Sequence, residues 1–144
     1  MAFSGNFMCT SFKVEVLKAV HNFTAASNIF KLALYDNSAS FTAATTAYTS
    51  TNEITGTNYT AKGNAVTTVT PVASSTTALV DMADVVFSNV TISAVRGSLI
   101  YNDAASGDPT VCVLDFGADK AASAGDFTVV MPTADLSNAI IRIA

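Results

Sequence analysis

Residues 90–102 read VTISAVRGSLIYN, residues 103–109 read DAASGDP, and residues 110–116 read TVCVLDF. Two apolar, β-branched runs enclose a short segment of Asp, Gly, Ser and Pro, which is the pattern of a β-hairpin with a longer loop. Val90, Ile92 and Ala94 alternate with Thr91, Ser93 and Val95, so one face is mostly apolar. Arg96-Gly97 interrupts the alternation, and a glycine inside a strand marks a bulge or a close backbone approach. Beyond it Leu99 and Tyr101 share one face, with Ile100 on the other. In the return strand Cys112, Leu114 and Phe116 oppose Val111, Val113 and Asp115. Apolar residues on both faces predict a central strand covered on both sides.

Working outward, residues 1–10 (MAFSGNFMCT) hold no periodicity and read as an N-terminal arm, with Phe3, Phe7 and Met8 as its apolar contacts. A helix is predicted over 11–22, N-capped by Thr10 or Ser11. Phe12, Val16, Ala19 and Phe23 form its apolar stripe, which should pack against a sheet. Residues 28–35 (NIFKLALY) predict a strand, followed by a turn at 36–38. Residues 38–64 are Thr, Ala, Ser and Asn with sparse anchors at Phe41, Tyr48, Ile54 and Tyr59. They predict a strand plus a long surface loop, with room for a helical turn near 42–47. Residues 64–71 predict a strand ended by Pro71, which places it at an edge or a bend. Residues 74–77 read as a turn, and 78–83 and 85–89 as short strands or one bent strand. A loop is expected at 117–125 (GADKAASAG), then a strand at 126–131 and a closing strand at 138–144. Roughly eight short strands with one early helix imply a mainly β fold. An antiparallel β-sandwich or jelly-roll-like barrel is expected, formed as a single β-rich domain over 11–144 behind the arm.

Composition narrows the function. Charged residues make up 12% of the 144, against about 25% in an ordinary soluble domain. Charge is costly to bury, so a low-charge chain suits the inside of an assembly. The seven Lys and Arg are dispersed and the formal net charge is −4, so no nucleic-acid partner is expected. Mean hydropathy is +0.41, yet no stretch reaches the ~18 consecutive apolar residues of a membrane helix, and no membrane association is expected. The N-terminus lacks a basic start followed by an apolar run, so no signal peptide is expected. Cys9 and Cys112 are accordingly read as free thiols of a cytoplasmically made chain. The sequons at Asn22, Asn58 and Asn89 then carry no meaning.

Catalytic signatures are sparse. His21 is the one histidine. It would have to serve any nucleophilic triad, but it sits beside the apolar stripe and reads as a structural histidine at the helix end or an interface. Two cysteines and one histidine, scattered, give no zinc spacing. Asp115-Phe116-Gly117 spells the magnesium motif of kinases in a chain with none of their other motifs. Asp103 and Asp108 do not match an EF-hand and suit a solvated hairpin loop. The pairs Asp81/Asp84 and Asp115/Asp119 read as surface carboxylates at strand ends. No catalytic residue, metal ligand or cofactor site is assigned, and the chain is not expected to be an enzyme.

Several segments taken in order do carry a resemblance. SFKVEVLKAVHNF (11–23), FKLALYDNSASF (30–41), TAYTSTNEITGTNYTAKGNAV (46–66), RGSLIYND (96–103), VCVLDFGADK (111–120) and NAIIRIA (138–144) resemble a family of small virion structural proteins of tailed bacteriophages. The resemblance implies a place on the particle and no catalytic residues. It implies turn and packing roles for Gly56, Tyr59, Gly63, Arg96, Gly97, Asp115, Phe116 and Gly117. The expectation is a capsid decoration (cement) protein on the virion surface, synthesised in the host cytoplasm. It would associate with itself, as a dimer or trimer, and bridge subunits of the major capsid protein. Phe3, Phe7 and Met8 would reach the neighbour. A tail, neck or fibre-base component is the alternative. A carbohydrate-binding host-attachment module is a third reading, weakened by the absence of Trp.

Overall fold

The computed structural model describes residues 3–144; Met1 and Ala2, the first two positions of the expected arm, lie outside the described residues. The elements are β1 (Phe7–Met8), α1 (Thr10–Leu17), β2 (Phe30–Tyr35), β3 (Asn64–Val66), β4 (Thr68–Ser74), β5 (Thr77–Met82), β6 (Val85–Asn102), β7 (Thr110–Val129) and β8 (Ile141–Ile143). They form a five-stranded antiparallel sheet, β1-β7-β6-β2-β3, and a three-stranded one, β4-β5-β8. This is the two-sheet, mainly β architecture with one N-terminal helix that the strand spacing predicted. The chain passes between the sheets at Thr67 and again at Ala83-Asp84, and the two crossings are tied by the Ala83 N–H on the Thr67 carbonyl.

The quoted stretch is the inner part of a longer hairpin. Strand β6 has 18 residues and β7 has 20, and the loop over 103–109 lies where the Asp/Gly/Pro run placed it. At about 3.3 Å per residue a straight ribbon of this length would reach roughly 60 Å, wider than a compact domain of 144 residues. Bulges bend the ribbon instead. Its register shifts five times, and Asn89 and Ala94 adopt left-handed φ of 51° and 56°. Each of these two bulges skips one position. Val85, Phe87, Val90, Ile92 and Val95 therefore all face the core, although their spacing is not strictly two. Strict alternation had grouped Ala94 with Val90 and Ile92; the bulge exposes Ala94 and turns Val95 inward instead.

Several boundaries differ from the sequence reading: the strand expected over 64–71 is split at Thr67 between the two sheets and runs past Pro71 to Ser74, the closing strand expected over 138–144 shortens to Ile141–Ile143, and three further differences have a local reason. Residues 117–125 are not a loop but the middle of β7, because β6 supplies a paired neighbour for a run of small residues with weak propensity. Residues 85–89 are likewise the start of β6 and not a separate strand. Helix α1 stops at Leu17 rather than Asn22. There Ala19 takes φ 58°, its N–H bonds the Val16 carbonyl, and the Val20 N–H bonds the Glu15 carbonyl. That is a Schellman cap built on alanine instead of the glycine that would have announced it. At the other end the N-cap is Cys9, with no side-chain cap. Of the expected stripe, Phe12 is buried and Val16 half-buried, Ala19 is exposed, and Phe23 reaches the core from coil.

The stretch 36–63 forms no strand longer than single bridges, Tyr35 to Glu53, Ala47 to Pro109 and Thr57 to Thr91. Its sparse anchors still hold it to the sheet, since Phe41 and Ile54 are buried and Tyr48 and Tyr59 pack against the core. Pro71 lies in β4, an edge strand, within an irregularity between Val69 and Val72, as its missing N–H requires. One apolar core joins β2, β6 and β7 to Val80, Met82 and Ile141 of the small sheet.

Candidate functional surface

The segment read as an arm is built into the sheet. Phe3 is 3% exposed. Its ring lies over Gly97, where a Cβ would come within 2.3 Å of the Phe3 Cε1, and meets Phe41 edge-on at 5.7 Å. This is the close approach that a glycine in the middle of β6 suggested. Phe7 and Met8 are half-buried and pair with Val113 and Cys112. The three residues expected to reach a neighbour thus serve the chain's own core and sheet edge. Cys9 stands opposite Val111 and Cys112 opposite Met8, so their side chains take opposite faces. Both thiols are free and buried, and burial pushes that of Cys112 up to about 12.

Asp115 fastens the same segment. Its Oδ2 accepts the Gly5 N–H at 3.1 Å and its Oδ1 accepts the Gly117 N–H at 2.8 Å and the Arg96 Nε–H at 3.1 Å, while the Asp115 N–H donates to Asn6 Oδ1 at 2.7 Å. Here residues 116–119 bulge against Arg96 alone, between the pairs Val95–Lys120 and Gly97–Asp115. The DFG triplet is therefore a bulge held by a carboxylate. The Gly117 N–H, then Arg96 and Gly5, hold the Asp115 carboxyl below 3.8 against the opposing effect of desolvation. A carboxyl with a depressed folded value adds stability above its unfolded value and loses it as the pH falls through the folded value. Asp115→Asn is therefore expected to cost about 2 kcal/mol at neutral pH, the range of hydrogen bonds to a charged group. The deficit should shrink toward zero at pH values well below 3.8. Urea titrations of both proteins at neutral and acid pH check this, and a deficit independent of pH would rule it out.

The hydrogen-bond-rich centre of the molecule lies between the long loop and β2/β6. All four tyrosines of the chain meet there. Glu53 accepts the Tyr48 hydroxyl at 2.5 Å, the Tyr59 hydroxyl at 2.8 Å and the Lys62 N–H at 2.7 Å. Tyr59 Oη in turn accepts the Leu34 N–H. Tyr35 donates to the Thr49 carbonyl and Tyr101 to the Lys62 carbonyl. The Lys62 ammonium bridges Asp103 and Asp108 at 3.1 and 2.9 Å, and Lys31 adds a second ammonium contact on Asp103 at 3.0 Å. Burial, then mostly the nearby carboxylates, pushes all four phenols far above their usual value. Asp103 and Asp108, read as a solvated hairpin loop, are the outer anchors of this cluster. Lysine ammonium groups already pair with both carboxylates.

His21 follows the same rule. Its ring is fully covered, with Nε2 at 3.0 Å from Glu15 Oε2 and Nδ1 at 3.4 Å from the Asn102 amide nitrogen. Phe12, Phe23 and Phe30 surround it. An apolar cavity of about 380 Å³ adjoins it, lined by Phe12, Val16 and Phe23 on one side and Val80, Ile141 and Ile143 on the other. No nucleophile shares a hydrogen bond with the ring, so the imidazole joins the α1 cap to β6. Among the described residues no group of three or more His, Cys, Asp or Glu side chains converges as a metal site, and no helix is long and apolar enough to cross a membrane.

What stands out on the surface is apolar. Leu17 is 89% exposed and Val130 73%, with Val72, Ile143 and Ile29 all above half. No protein-family model matches the chain, and no curated protein or solved structure matches it.

Proposed function

We propose that this chain is a structural component of a tailed-bacteriophage virion, a decoration (cement) protein lying across the major capsid protein. The observation that carries the reading is the surface, in which low charge is combined with dispersed, strongly exposed Leu, Ile and Val side chains. Such a surface gains by being covered, at roughly 25 cal/mol per Å² of apolar area before association costs. Repetition over a shell turns modest contacts into avidity. The ordered resemblance of six segments to small virion proteins supplies the phage setting. The Tyr–Glu53–Lys62 cluster suits a load-carrying part, since its polar side chains are committed to one another rather than to a substrate.

Cryo-electron microscopy of the intact particle tests this. Copies tiling the icosahedral shell are the expected result. Copies confined to the tail or neck would replace the cement role by the alternative one, and absence from the particle would overturn the reading altogether.

A further inference from the structure

Helix α1 is apolar on both sides. Phe12 and Val16 face inward, and Lys13, Val14, Leu17 and Lys18 occupy the opposite 140° of the helical wheel. Val14 is 48% and Leu17 89% exposed, and neither lysine makes an ion pair among the described residues. Large apolar side chains on opposite sides of a helix favour cover on both sides, and here only one layer is present. The β6–β7 ribbon carries a counterpart at its open end. With Val85 paired to Val129 and Val86 to Thr128, alternation puts Asp84, Val86, Asp126, Thr128 and Val130 on its outer face. All five are exposed, Val86 by 42% and Val130 by 73%. Asp84 and Asp126 accept the N–H groups of Met131 and Asn89 and carry no salt bridge. Lys120 stands at the margin, so acids still outnumber bases.

We propose that the outer face of α1 docks on the outer face of the β6–β7 open end of a second copy of this chain. Two lysines flanking Val14 and Leu17 meet two aspartates flanking Val86 and Val130, so the faces match in both charge and apolar content. The outer face of α1 carries two lysines and the β6–β7 face is net acidic, so each would repel its own copy and the contact is heterologous. Such a contact repeats head to tail and closes into a ring where the rotation allows. The free edge of β7 beyond Leu114 is a poor rival, since Lys120, the bulge at 116–119 and left-handed Ala124 are the features that discourage strand pairing. The contact supplies the self-association that the virion reading includes, and it rests on that reading for its setting.

Light scattering on the purified full chain tests the docking. The native chain should exceed its 14.9 kDa monomer mass as concentration rises. Lys13→Glu/Lys18→Glu should weaken association at least about tenfold, as should Thr128→Lys/Val130→Lys, with thermal melts by circular dichroism showing that both remain folded. An equimolar mixture of the two variants pairs the native α1 face of one with the native β6–β7 face of the other, and should recover a mass above that of either variant alone. A native chain that stays monomeric, variants that assemble unchanged, or a mixture that fails to recover would each overturn the docking. If the native chain is monomeric but Lys13→Glu/Lys18→Glu is lost from particles, another virion protein covers α1, and the virion reading stands without the docking. Assembly through these faces by a chain absent from particles would leave the docking and remove the virion reading.

Discussion

Gly63→Ala is expected to destabilise the protein by about 4 kcal/mol, a large part of the ~5–15 kcal/mol that holds a domain folded. Gly63 closes the turn that feeds β3, with its N–H on the Thr60 carbonyl and φ at +68°. A Cβ there would lie 1.9 Å from the Leu32 carbonyl oxygen and 2.7 Å from the Ala33 Cα. These are backbone atoms of β2, buried and paired on both sides, so no side chain can swing away. Relief requires moving β3 off β2, against the Phe30–Val66 and Leu32–Asn64 pairs. Overpacking of this kind costs about 1–3 kcal/mol or more, and the left-handed backbone adds about 1–2 for a residue with a Cβ. Gly107→Ala is the matched control. Its φ is +85° with nothing within 4 Å of the added carbon, so only the backbone cost, about 1 kcal/mol, should appear. Equal midpoints for the two variants in chemical denaturation would show that the close approach does not matter.

Much of this was visible in the chain. The Asp/Gly/Pro run fixed the hairpin loop to the residue, the break at Arg96-Gly97 marked the approach of Phe3, and Pro71 marked an edge. Tyr59, Gly63, Arg96, Asp115 and Gly117, assigned turn and packing roles through the resemblance, hold the Tyr–Glu53 cluster, the β3 turn and the 116–119 bulge. What stayed hidden lay in contacts without a local signature. A run of Ala, Gly and Ser reads as loop unless a long partner strand is known to lie beside it. A Schellman cap on alanine looks like continuing helix. An arm with Phe3 and Phe7 looks the same in sequence whether it reaches a neighbour or folds back over a glycine. The bulges at Asn89 and Ala94 left no local signature either, and they decide which side chains of β6 face out. The outer face of α1 was missed for a related reason. A single apolar stripe was sought, and Val14 and Leu17 lie off it.

Glu53→Ala should cost about 4 kcal/mol, while Glu53→Gln should cost about 1. The carboxylate is the common acceptor of the Tyr48 and Tyr59 hydroxyls and the Lys62 N–H. Leaving a buried donor unpaired costs about 1–3 kcal/mol. Tyr48, less buried than Tyr59, can recover a water. The effect spreads because each donor holds something else. Tyr59 Oη receives the Leu34 N–H of β2, and Lys62 binds Tyr101 through its carbonyl and Asp103 and Asp108 through its ammonium. Glutamine keeps one oxygen for Tyr59 and Lys62, and its amide can donate to a Tyr48 hydroxyl that has turned to accept. The contrast therefore separates a need for an acceptor from a need for charge. If alanine and glutamine proved equally damaging in urea titrations, the charge itself would be what holds the loop. If alanine cost less than about 1 kcal/mol, the loop would be held by Phe41 and Ile54 alone, and the polar cluster would be a consequence of the fold rather than a support of it.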